Sequence, residues 1–274
     1  MEKNLLLELY STYDCESLVL SKTLYEFDKQ LKLIILNILF DIEQNIKYIF
    51  SINFINRYKD DINELINEKN YSNNKMVPEI ISRTKKQLKD YDLPLNEKKF
   101  YIKKYGYLPI SSYIKTLSFG LVRDLYFISK PNDKDHIRRN ITNKNISSRD
   151  LETILEFLVK IRNICCHNEI LLSFMNEQDT IPDTNYHKYF VINNIQYGKK
   201  DFLATLISIK LLIDNNKFKD LINDIDKLIN KTYKSLKIPK ERLLYFMHLP
   251  SNYNDIVNLW KYIINKLLCK TENN

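Results

Sequence analysis

Residues 24–49, LYEFDKQLKLIILNILFDIEQNIKYI, decide the fold. Leu24, Phe27, Leu31, Ile34, Ile38, Ile42, Ile46 and Ile49 recur at steps of three and four. An α-helix turns about 100° per residue, so these side chains fall on one stripe. Asp28, Lys32, Asp41, Glu43 and Lys47 lie between them and are expected to face water or a partner. The pattern holds from about Ser21 to Arg57. A helix of that length is a bundle spine or a pairing surface for a second chain, and the bundle spine is the simpler reading.

The rest of the 274-residue chain carries the same signature. Its three glycines are too few for a fold of hairpins or for glycine-rich phosphate loops. With 44% hydrophobic and 28% charged residues it reads as a soluble globular protein able to bury a core. Pro109 suits a first helical position, and Tyr113, Ile114, Leu117, Leu121, Leu125 and Ile128 follow on one side. Gly120 inside that pattern costs about 1 kcal/mol relative to alanine, which a close helix crossing would explain. Ser147 and Asp150 form a capping-box start for a helix over about Ser148–Phe174. Asp201 opens an apolar helix to about Leu212, and an amphipathic helix covers about 217–236. A last helix carries Ile256, Leu259, Trp260, Ile263 and Leu267.

Two stretches lack helical period. Residues 58–77 read as a helix end followed by an asparagine-rich loop. Over 176–200, the run Tyr189–Ile192 and Gly198 point to a loop with a short strand pair. The expectation is an all-α helical bundle, one domain over 1–274, with loop insertions at about 58–107 and 176–200.

Net charge is +8, which suits a polyanionic partner such as nucleic acid. The abundance of Asn, Ile, Lys and Tyr also fits AT-biased coding, which raises lysine by itself. Lys98, Lys99, Lys103 and Lys104 are interleaved with Phe100, Tyr101, Tyr105 and Tyr107. Lysines neutralise phosphates while aromatic rings stack on unpaired bases. The plainer reading is a solvated loop whose tyrosines anchor it to the core. A second basic segment, 131–147, holds Arg138 and Arg139. These six basic residues are the candidate RNA contacts.

Several classes are excluded. No apolar run reaches the roughly 18 residues needed to span a bilayer. The nearest, Leu33 to Phe40, contains Asn37 and is flanked by Lys32 and Asp41. Cys15, Cys165, Cys166 and Cys269 form no C-x-x-C and follow no signal peptide, so they read as reduced thiols of a cytoplasmic protein. There is no H-E-x-x-H or Cys/His metal set, no Walker loop and no G-x-S-x-G elbow. No metal or other cofactor is expected.

Ile161-Arg162-Asn163-Ile164-Cys165-Cys166-His167-Asn168-Glu169 holds the candidate chemistry. With Arg162 at zero, Leu151, Leu155, Leu158, Cys165 and Cys166 lie within about 60° of it on the helix. Arg162 thus falls on the apolar face, and both cysteines read as core-facing. Asn163 and His167 fall together on the flanking polar arc, and His167 points about 140° from Arg162. A buried unpaired arginine is very costly. Arg162 therefore pairs with a carboxylate such as Glu169, or faces a cleft or a subunit interface. Spacing alone favours the modest reading of an ion-paired arginine and a histidine capping a loop.

Three segments resemble the Abi family of bacterial abortive-infection proteins, its AbiD/AbiF-like group within the HEPN superfamily of helical RNA-cleaving domains. They are Phe27–Leu33 through Glu43, Leu108–Ile110 through Gly120, and the Arg162-Asn163-x3-His167 motif. Weaker echoes follow at Asp201 and over Met247–Trp260, so the resemblance runs over about 20–262. It departs from the family at Asn168, where a second polar or histidine position is usual. The upstream segment carried by many relatives is missing or shorter. The resemblance implies a HEPN-like bundle and a metal-independent endoribonuclease whose composite site forms across a homodimer. It implies His167 as general acid or base, Arg162 as the phosphate clamp, and Asn163 as an orienting or phosphate-binding group. The alternatives are a non-catalytic protein holding a noncoding RNA, or a helical dimerisation or sensor module.

Overall fold

The computed structural model describes residues 18–90, 94–142, 146–177, 180–192, 195–236, 238–249, 258 and 260. The protein is all-α. The described helices are α1 (Leu18–Arg57), α2 (Ile62–Leu65), α3 (Val77–Asp90), α4 (Leu95–Tyr105), α5 (Ile110–Tyr113), α6 (Phe119–Ile128), α7 (Pro131–Ile141), α8 (Ser148–Cys166), α9 (Phe202–Leu212), α10 (Asn215–Leu236) and α11 (Lys240–Phe246). A two-residue antiparallel pair, β1 (Val191–Ile192) with β2 (Ile195–Gln196), sits where the strand pair was expected. Among the described residues no helix is long and apolar enough to cross a membrane. The chain forms two compact units, residues 1–40 with 160–274, and residues 41–159.

Helix α1 buries the expected stripe with a local shift. Leu24, Phe27, Leu31, Ile38, Ile42 and Ile46 are in the core, but Ile35 and Phe50 are buried where Ile34 and Ile49 were expected. The larger correction concerns charge. Asp41 is exposed and Lys32 is half-buried, yet Asp28, Glu43 and Lys47 are buried. Each finds a partner inside the protein. Lys47 Nζ lies 2.6 Å from Glu43 Oε1 and 3.3 Å from the Lys115 carbonyl. Pairing offsets the desolvation that would otherwise hold these groups in water.

In the unit 41–159, the helix expected from Pro109 breaks in two. A 3-10 turn over Ile114–Thr116 follows α5, and Ser118 then caps α6 by accepting from the Leu121 amide at 3.3 Å. Gly120 lies beside α8. A methyl added there would meet Val159 Cγ1 at 3.6 Å, ordinary contact, so the crossing is not tight enough to demand glycine. Pro131 stands at the start of α7, where a missing amide costs nothing. The basic segment after it is therefore helical through Ile141. Asp133 ties α7 to the end of α1, 2.9 Å from Arg57, with Tyr58 Oη 3.1 Å from its other oxygen.

In the other unit, Asp201 caps α9, accepting from the Ala204 amide at 2.9 Å. Every residue of α9 is buried. Lys210 is among them, pairing with Asn215 and lying over the Phe218 ring at 5.1 Å. Trp260 is fully buried, its ring centroid 4.9–5.3 Å from those of Tyr186, Phe190 and Phe218. The other apolar positions of the last expected helix lie outside the described residues. Buried His187 bridges the loop before α9. Its Nδ1 accepts from the Thr184 amide at 2.9 Å, so Nε2 carries the proton and donates to the Gly198 carbonyl at 2.8 Å. Gly198 has φ +84°, and a Cβ there would stand 2.6 Å from Ile207. That position requires glycine.

Candidate functional site

Helix α8 begins on a reciprocal capping box. The Ser147 amide donates to Asp150 Oδ2 at 2.8 Å, and the Asp150 amide donates to Ser147 Oγ at 3.0 Å. Leu151, Ile154, Leu155, Phe157, Leu158, Val159, Ile161 and Ile164 are buried along it. Measured from Arg162, this arc runs from about 60° through −160°, so it takes in the expected face and extends beyond it on one side. Arg162 falls within that arc, as expected, but at the helix's last turn it is only half-buried and engaged in contacts of its own. Asn163 and His167 are both exposed, one turn apart. The His167 amide donates to the Asn163 carbonyl at 2.9 Å, the last helical bond before the chain turns away.

The helix thus ends at Cys166, eight residues before the expected Phe174. The cause is a latch supplied by α1. Asp28 Oδ1 accepts from the Leu171 amide at 2.9 Å and from the Leu172 amide at 2.6 Å. Its Oδ2 lies 2.9 Å from Lys32 Nζ, which also donates to the Glu169 carbonyl at 3.0 Å. Two side chains one turn apart on α1 thereby fix the backbone of 169–172, immediately after the motif. A helix continuing through those residues would turn their amides back into its own ladder. Burial pushes the Asp28 carboxyl above its ordinary range, against the pull of Lys32 and the two amides.

The cysteines divide. Cys165 is half-buried, and burial, with Cys166 and Asp28 nearby, pushes its thiol up to about 12. It is a neutral thiol and a poor nucleophile. Cys166 is exposed, which corrects the core-facing expectation. Helical phase carries it onto the apolar side, but the helix stops at that residue. Among the described residues no three His, Cys, Asp or Glu side chains gather as metal ligands.

The candidate RNA contacts all lie in the unit 41–159, whereas Arg162, Asn163 and His167 lie in the other. Arg138 and Arg139 share one carboxylate, at 2.9 and 2.6 Å from the two oxygens of Asp135. The arginines hold that carboxyl below its ordinary range. Lys98, Lys99, Lys103 and Lys104 stand on helix α4, not on a loop. Lys99, Lys103 and Lys104 are exposed, and Lys98 is half-buried with contacts of its own.

The family model for Abi-like proteins matches residues 14–173, more than half of the chain. The chain belongs to the Abi-like family. Membership points to a role in abortive infection, a defence against phage. The match takes in the three segments on which the resemblance rested, while the echoes at Asp201 and beyond Met247 fall outside it. No curated protein and no solved structure matches the chain. Within the matched span, Asp28 and Lys32 are the residues that sequence reasoning missed. The available signal was helical phase, which puts Asp28 about 40° from Leu24 and so inside the apolar arc despite its place between the stripe positions in sequence.

Proposed function

We propose that this Abi-like chain is a HEPN-type, metal-independent endoribonuclease acting in phage defence or as a toxin. Two copies would pair to bring their Arg162, Asn163 and His167 into a composite site. The supporting observation is the exposure of Asn163 and His167, one turn apart, at the C-terminal end of α8, with half-buried Arg162 beside them in the sequence. In that arrangement His167 takes the proton of a ribose 2′-hydroxyl or gives one to the leaving 5′-oxygen. Arg162 binds the scissile phosphate and stabilises the charge that builds on it. Attack by the 2′-oxygen breaks the P–O5′ bond and leaves a 2′,3′-cyclic phosphate and a 5′-hydroxyl. Pairing of copies removes the angular difficulty, because the arginine and histidine of one site then come from different chains.

The test is RNA cleavage by purified protein in EDTA. Wild type is expected to yield 2′,3′-cyclic phosphate ends. His167→Ala and Arg162→Ala are each expected to lower the rate by about 100-fold or more. Absence of cleavage by wild type, or equal cleavage by His167→Ala, overturns the reading. Binding without cleavage that survives both substitutions favours the non-catalytic RNA-binding alternative.

A further inference from the structure

Helix α4 presents an anomaly. None of its described side chains is buried. Phe100 is 54% exposed, Ile102 50% and Tyr105 45%, so large apolar groups stand in water on a helix whose described side chains are at most half-buried. An isolated helix of this length is marginal, and this one lacks an N-cap side-chain bond. Several contacts within the segment itself support it. Lys104 Nζ lies 5.4 Å from the Phe100 ring centre and 5.0 Å from that of Tyr105. Tyr101 and Tyr105 stack at 6.3 Å, and Gly106 closes the helix in the left-handed region. Phe100 meets Tyr101 edge-on at 5.5 Å, and Tyr107 lies 6.0 Å from Tyr105. Four rings form one connected chain on the surface.

The order of side chains around the axis selects the occupant. From Lys98 at zero, Ile102 follows at about 40°, Lys99 at 100°, Lys103 at 140°, Phe100 at 200°, Lys104 at 240°, Tyr101 at 300° and Tyr105 at 340°. Lys98 stands between Tyr105 and Ile102, and Phe100 stands between Lys103 and Lys104, with Glu97 at about 260°, so cations and apolar groups are interspersed around the helix. A helix that lies in a bilayer surface needs them segregated onto opposite faces. A single RNA strand instead offers phosphates and unstacked bases side by side, which matches lysines interspersed with rings.

We propose that Phe100, Tyr101, Tyr105 and Tyr107 form a stacking platform for unpaired RNA bases, with Lys99, Lys103 and Lys104 holding the adjacent phosphates. This deepens the RNA reading above and rests on it. The platform selects single-stranded over paired RNA, because bases in a duplex have no free face.

Fluorescence anisotropy with the full chain tests this, using a labelled 2′-O-methyl oligouridylate that has no attacking hydroxyl. Phe100→Leu combined with Tyr105→Leu is expected to weaken binding by about tenfold or more, with the salt dependence unchanged. Tyr105→Phe keeps the ring and is expected to bind as wild type. Lys99→Gln with Lys103→Gln is expected to lower the slope of log affinity against log salt by about 1.4. A fully paired RNA of equal length is expected to respond less than about twofold to the ring changes. The changes lie on exposed surface, and each single leucine variant is read beside the double so that a folding defect in one does not decide the outcome. Wild-type binding that is weakened by the lysine changes but indifferent to the ring changes overturns the platform and leaves the RNA reading standing. No RNA binding by wild type even at low salt overturns both. Ring-dependent binding to phosphatidylserine vesicles, with RNA binding unaffected by the ring changes, overturns the platform in favour of a membrane surface.

Discussion

Asp28 satisfies two buried amides and one ammonium with a single carboxylate. Truncating it leaves the two buried amides without an acceptor and the half-buried ammonium with only the Glu169 carbonyl. Asp28→Ala is expected to cost about 3 kcal/mol in urea unfolding, and Asp28→Asn less, because the amide oxygen still accepts. A loss below about 1 kcal/mol for the alanine variant would mean that the latch does not hold the 169–172 backbone. His187 makes the opposite kind of demand, since its fixed tautomer uses Nδ1 as an acceptor. Burial holds its pKa below the ordinary 6.5. The unfolded chain therefore takes up a proton as pH falls below about 6.5 while the folded chain does not. The stability that His187 contributes is complete above that value and declines as pH falls toward the folded pKa, by at most about 1.4 kcal/mol per pH unit. Asp28, raised from 3.8, titrates with the other sign: its contribution is complete below 3.8 and fades as pH rises through the folded value. Melting at pH 7.5 and 5.5 separates the two. Wild type is expected to lose more on acidification than His187→Gln, and equal losses would remove His187 as the cause.

At the scale of the element, Gly120 in α6 stands where a methyl fits against Val159 at ordinary distance. The helix gives up backbone entropy there without the close approach that would justify it. Gly120→Ala is expected to stabilise the protein by about 0.5–1 kcal/mol, read as a rise in urea midpoint at constant slope. A fall in the midpoint would show that the crossing is tighter than the 3.6 Å separation implies. Helix α6 also marks how far local patterns carry. Its apolar period was legible, but the break at Ser118 was not, because Ser118 reads equally well as a surface residue or as a cap. The starts of α8 and α9 were legible to the residue, since Ser147, Asp150 and Asp201 satisfy amides within three positions of themselves. The end of α8 was not, because its stop comes from Asp28 and Lys32, more than 130 residues away. Helix α4 was hidden for a related reason: none of its described side chains is buried, so they show no apolar period to detect.

For the whole molecule, the all-α class followed from scarce glycine and long apolar stripes. The expectation that the charged residues between the stripe positions face water or a partner failed at Asp28, Glu43 and Lys47, which are buried and pair inside the chain. The candidate site was legible as a motif, and Asn163 and His167 do share an exposed arc. Its surroundings were not, because no periodicity reports that the chain after His167 is tied to α1. That tie has a consequence for synthesis. The latch joins Asp28 to Leu171 and Leu172 across 143 and 144 positions, so a growing chain has made its motif before the segment that anchors it exists. Closing so long a loop is slow relative to winding either helix. A nascent or proteolysed product that stops short of Leu172 carries Arg162, Asn163 and His167 with no tether behind them. The family match ends at residue 173, one position past the completed latch.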